Sequence, residues 1–126
     1  MSSLTLKRVY EAPEASDGAR ILIDRLWPRG IAKDKARIDL WLRDIAPSDA
    51  LRKRFHGKPD AWDEFCTAYA EELNGAAAQA AVKELLERLA EGPVTLLYAA
   101  RDMERNNAVA LKAWLERGEG GDRSPT

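Results

Sequence analysis

The segment Asp24-Arg25-Leu26-Trp27-Pro28-Arg29-Gly30 carries the residue types best able to do chemistry in this chain. Two arginines flank an indole directly behind the apolar run Ile21-Leu22-Ile23, which reads as a buried strand. Guanidinium forks match phosphate and carboxylate groups, and an indole can stack on a planar ligand. Segments leaving strand ends are also where sites usually sit. A second such segment, Tyr98-Ala99-Ala100-Arg101-Asp102, lies at the end of the apolar run 94–100. The candidate ligand-binding residues are therefore Arg25, Trp27, Arg29, Tyr98, Arg101 and Asn106. If the site is catalytic, Asp24, Asp102 or Glu104 supplies the acid or base, and the arginines stabilise developing negative charge. Whether there is turnover stays open. A structural reading stands beside this one. In it Arg25 pairs with Asp24 or Asp102, Trp27 closes the end of the core, and Asp102 caps the last helix with Glu104 favouring its dipole.

Other chemistries are excluded by residue type and context. One histidine and one cysteine cannot build a Cys/His zinc site. Cys66 falls on the apolar stripe of a helix and reads as a packed thiol, while His56 sits in a helix's last turn, where a cation suits the dipole. No nucleophile elbow, P-loop or Gly-x-Gly-x-x-Gly motif occurs, and Ser48 reads as a helix cap. No metal or cofactor is expected.

The elements that must position the site can be read from periodicity. Leu4–Tyr10 alternates like a strand, and an Asp17-Gly18 turn leads into a second strand, Arg20–Leu26, stopped by Pro28 and Gly30. Residues 31–46 fit both a strand period (Ile38, Leu40, Leu42) and a helical one (Ile38, Trp41, Leu42, Ile45). They are read as a short irregular helical piece. Helices follow behind Ser48, over about 60–73, over about 77–90 and over about 104–117. The run 94–100 is apolar throughout, as a strand buried on both faces would be. The implied fold is α/β: a small, mostly parallel sheet of three or four strands with helices packed on its faces. Parallel pairing of the second strand with 94–100 would bring segments 24–29 and 98–102 to one edge, where such sheets bind ligands.

Composition sets the remaining bounds. With 126 residues, 45% hydrophobic and 33% charged, the chain reads as one soluble domain over 1–117 with a disordered tail over 118–126. There is no membrane-spanning run, no signal-peptide pattern and a single cysteine, so a cytoplasmic location is expected and a membrane partner is not. The net charge of −1 hides an imbalance. Residues 25–54 hold nine cations against four aspartates, and 60–91 hold eight acids against two cations. Two solvated faces account for this most simply; a positive patch that attracts an anionic ligand is the functional alternative.

The motifs Arg25-Leu26-Trp27-Pro28-Arg29-Gly30, Asp39-Leu40-Trp41-Leu42, Ala46-Pro47-Ser48 and Thr95-Leu96-Leu97-Tyr98-Ala99-Ala100-Arg101-Asp102 resemble the YeaO-like family of small bacterial proteins (domain of unknown function 488). The resemblance covers about residues 4–117 and implies a small α/β domain, without implying a reaction. The family's segment after the last strand typically carries histidines. Here Arg105 and Asn107 stand in those places, while Asp102, Glu104 and Asn106 match. That departure counts against histidine-dependent chemistry.

Three functions follow as expectations. The first is binding, with or without processing, of a phosphorylated or carboxylated small molecule or a nucleotide at the arginine edge. The second is nucleic-acid binding or regulation through the basic 25–54 segment; a pI near 5.9 disfavours it. The third is a non-catalytic structural or interaction module. The oligomeric state is not legible from the residues.

Overall fold

The computed structural model describes residues 3–117, so the tail expectation for 118–126 lies outside the described residues. Four strands, β1 (Leu4–Arg8), β2 (Ala19–Leu22), β3 (Leu40–Trp41) and β4 (Val94–Tyr98), form one sheet in the order β1-β4-β2-β3. Every pairing is parallel, with Leu6 opposite Leu96, Ile21 opposite Leu96 and Leu22 opposite Trp41. The fold is thus the small parallel α/β arrangement that the apolar runs imply.

Alternation along the strands divides the interior in two. Ile21, Ile23, Val94, Leu96 and Tyr98 face the larger core. That core is completed by three helices: α3 (Trp62–Leu73), α4 (Ala76–Glu91) and α5 (Asn107–Glu116). Leu22, Leu97 and Val9 face the opposite side. There α1 (Lys33–Ala36) and the partly buried Trp27, Ile31, Ile38 and Trp41 lie over the sheet. Leu22, Leu96 and Leu97 are fully buried, which is why β2 and β4 read as continuous apolar runs. Truncating Leu96 to alanine is expected to cost about 2–5 kcal/mol in a urea melt. A change under about 1 kcal/mol would contradict its central place.

The second face also buries charge. Arg20 Nη1 donates to Asp17 Oδ2 at 2.6 Å, while its Nε and Nη2 donate to Ala36 O at 3.2 and 3.0 Å. Lys7 reaches the same Asp17 carboxylate at 3.2 Å and Glu14 at 2.8 Å. The Thr95 hydroxyl donates to Asp17 O. Nothing in the apolar pattern announces this network, because Arg20 stands at the edge of a hydrophobic run and reads as its start.

Several boundaries differ from expectation. β2 pairs only to Leu22, and the chain leaves the ladder after Ile23 N donates to Leu97 O. The 31–46 segment is neither all strand nor all helix: α1 is followed by β3 and a 3-10 turn over Arg43–Ile45. Backbone bonds to its neighbour, Asp39 N to Arg20 O and Leu42 N to Leu22 O, make β3 a strand. Ser48 does cap α2 (Asp49–Phe55), its hydroxyl accepting from Leu51 N. The last helix begins later than expected. Its N-cap is Asn106, whose side chain accepts from Val109 N, so Asp102 is not the cap. Asp102 Oδ1 instead accepts from Glu104 N and Arg105 N, closing a turn of its own one step upstream.

Candidate functional site

Because all four strands run the same way, the segments after β1, β2 and β4 leave the sheet at one edge. Side chains tie these segments together. Asp24 lies at the join: its Oδ2 accepts from Ala99 N at 2.9 Å and its Oδ1 from Asn107 Nδ2 at 3.1 Å. Its carbonyl accepts from Trp41 Nε1 at 2.6 Å, and Asn107 donates as well to Ile23 O. Arg8 donates to Ala99 O and Ala100 O, and Tyr10 Oη donates to Arg29 O. Pro28 is buried and Gly30 takes a positive φ of 75°, which together turn the chain back after β2.

A cleft of about 870 Å³ opens above these loops. Its lining includes Asp24, Arg25, Trp27, Arg29, Arg101, Asp102 and Asn106 from the expected set. Tyr98 and Glu104 lie elsewhere. Tyr98 is 2% exposed, its ring built into the larger core, and burial pushes its hydroxyl pKa up. Glu104 is an exposed residue of the β4–α5 loop. The lining also contains residues that periodicity assigned to other duties. Arg52 and Phe55 come from α2, His56 and Lys58 from the turn after it, and Trp62 and Phe65 from α3, while Arg105 and Asn107 come from the far end of the β4–α5 loop and the start of α5.

Arg25 departs from expectation. It pairs with neither Asp102 nor any other carboxylate among the described residues. Its Nη2 donates to Ala46 O at 3.0 Å and its Nε to Pro47 O at 3.3 Å, fastening the approach to α2. Backbone carbonyls left free by the turn accept its N–H groups but leave its positive charge unneutralised. Trp27 donates to Ile31 O at 2.8 Å and meets Trp41 edge-on at 5.4 Å, so the indole is a wall as well as a plug. Trp41 is not simply core either, since the Arg43 guanidinium lies 4.9 Å over its ring.

The charges around the cleft are unequal. Arg25, Arg29, Arg52, Lys58, Arg101 and Arg105 stand against Asp24 and Asp102. Among the described residues Arg29, Lys58, Arg101 and Arg105 make no ion pair, while Arg52 makes an exposed one with Asp49. The two aspartates are pushed in opposite directions. Burial raises the Asp24 carboxyl above its ordinary range, against the bonds from Asn107 and Ala99 and the charge of Arg52. The N–H groups of Arg105 and Glu104 hold Asp102 below it. Among the described residues no cluster of three His, Cys, Asp or Glu could hold a metal. No described helix is long and apolar enough to cross a membrane.

Fold and site together define a small parallel α/β domain with an open, cation-rich cleft at the carboxyl edge of its sheet. Residues 3–122 match the family model described as the inactive DUF488-N3 subclade. The chain belongs to that family. It is 43% identical over 113 residues to the uncharacterized protein YeaO of Escherichia coli (strain K12), covering 90% of this chain and 96% of that one. It is 44% identical over 104 residues to uncharacterized proteins of Mycobacterium tuberculosis (strain ATCC 25618 / H37Rv) and Mycobacterium bovis, covering 82% of this chain and 86% of each. No solved structure matches it.

Proposed function

We propose that this cleft binds a small anionic molecule, phosphorylated or carboxylated, and holds it without turning it over. The observation that carries the reading is the surplus of cations around one concave site, most of them without a protein carboxylate to neutralise them. An arginine in water gains little from a solvated neighbour, whereas one in a cleft is available to a bidentate phosphate or carboxylate. The large exposed hydrophobics Tyr10 and Leu26 line this cleft, where a ligand would cover apolar surface as well as charge. The word "inactive" in the description of the matching family favours binding over reaction.

A second reading keeps acid/base chemistry, and Asp24 favours it. One carboxyl on the lining is raised by burial and another is held low by N–H groups, and carboxyls pushed apart in this way can serve as proton donor and acceptor. In that reading Asp24 donates and Asp102 accepts. Nucleic-acid binding through 25–54 has less support, because the segment's cations are dispersed. Arg25 fastens two carbonyls, Arg43 covers Trp41 and Arg54 covers Phe55.

Thermal-shift titration with pyrophosphate, citrate and mononucleotides tests the proposal. At least one anion is expected to raise Tm by several degrees, and the Arg29→Ala/Arg101→Ala double variant is expected to fold normally and lose most of that rise. No shift with any anion, or an unchanged shift in the double variant, would overturn it. Binding to DNA that weakens steeply with salt, with no small anion binding, would move the assignment to nucleic acid.

A further inference from the structure

The cleft has two unlike walls. One is cationic and comes from the strand-end loops: Arg29, Arg101 and Arg105. The other comes from α2, α3 and the turn between them, and sets aromatic rings among Arg52, His56 and Lys58. There Trp62 and Phe65 lie stacked with centroids 5.5 Å apart and planes 21° from parallel, and Phe55 meets Phe65 edge-on at 5.8 Å. These three rings pack against the core on one side and stay only partly covered, and all three line the cleft. A simple inorganic anion would use the cations and leave the rings of the second wall wet.

Resting on the reading that the cleft takes an anion, we propose that its ligand is a mononucleotide-type molecule, with the phosphate on the arginine wall and the planar base on the Phe55/Trp62/Phe65 wall. Three features support this class over other anions. Partly exposed aromatic rings offer stacking area that a citrate or phosphate has no surface to cover. The volume of about 870 Å³ lies in the range of sites that enclose an organic ligand of this size. The two carboxylates on the lining, Asp24 and Asp102, would repel a ligand that is anionic all round, but they accept hydrogen bonds from sugar hydroxyls placed between base and phosphate.

Isothermal titration of the full chain with adenosine and uridine monophosphates, ribose 5-phosphate and adenosine tests the proposal. A monophosphate of either base is expected to bind at least tenfold more tightly than ribose 5-phosphate. Trp62→Ala is expected to remove that advantage without weakening ribose 5-phosphate, and Trp62→Phe to restore most of it. Equal binding of ribose 5-phosphate and both nucleotides would overturn the ring assignment and leave the anion reading standing. Adenosine binding as tightly as its monophosphate, or no binding by any phosphate, would overturn both. The wild-type comparison of nucleotide with sugar phosphate decides the matter even if the Trp62 variants fold poorly.

Discussion

Replacing Gly18 with alanine is expected to destabilise the fold by about 3–5 kcal/mol, a large share of what holds a small domain together. Gly18 has φ 66° and ψ −139°, a conformation that residues with a Cβ rarely adopt. A methyl group there would also run into the carbonyl oxygen of Pro93, which is backbone and cannot step aside. That same carbonyl accepts from Ala19 N at 3.0 Å at the entrance to the β2–β4 pairing. Relieving the clash would therefore pull at the first rung of the central strands. Gly57 is the natural comparison, since its φ is 71° but nothing lies within 4 Å of an added Cβ. Gly57→Ala is expected to cost only about 1 kcal/mol. Urea melts of the two variants read the difference, and equal midpoints would contradict the close passage of Gly18 over Pro93.

The Arg20→Met variant is expected to cost about 3–5 kcal/mol, because it removes one partner of a buried pair and strands the other. Asp17 would lose its 2.6 Å bond from Arg20, and Ala36 O would lose both of its guanidinium donors. The Lys7 contact would remain but is longer, at 3.2 Å. The same network has a pH signature. Burial pushes the Asp17 carboxyl up, but the Glu14 N–H and the bonds from Arg20 and Lys7 outweigh it and hold the group below its ordinary 3.8. A carboxyl lowered on folding contributes stability that is present above the unfolded value and is lost as pH falls through the folded one. Stability should therefore fall away below about pH 4 in the wild type. Asp17→Asn should flatten that limb while lowering stability at neutral pH. An unchanged acid limb in Asp17→Asn would show that other carboxylates control it.

The parallel sheet and its buried strands were legible because Ile21-Leu22-Ile23 and Val94-Thr95-Leu96-Leu97 must be covered on both faces, which only flanking layers can do. β3 was not, because two residues are too few to show a period. Leu40–Trp41 is a strand by virtue of pairing with β2, and that is a tertiary fact. The start of α5 was misplaced because Asp102 and Asn106 are both good capping residues four positions apart. Asn106 holds the cap, and its Nδ2 donates back to Asp102 O. The clustering of arginines and an indole at a strand end pointed to the edge where the cleft lies. The aromatic wall escaped because Trp62 and Phe65 fall on the apolar stripe of α3, and periodicity cannot tell a covered stripe position from a half-covered one. Asn107, read only as a departure from the family pattern, turns out to hold Asp24. Arg25 shows the limit of charge counting, since two main-chain carbonyls take the hydrogen bonds for which a carboxylate was expected.

Whether the strand-end cleft is an anion site is tested most directly by amide chemical-shift mapping of the full chain titrated with pyrophosphate. Amides of Asp24–Gly30 and Ala99–Asn107 are expected to shift together and saturate on one isotherm, with α4 and the Asp17–Arg20 segment unmoved. Weak shifts that grow linearly and scatter over every lysine and arginine, or a saturable site confined to a face away from Arg29 and Arg101, would contradict the account.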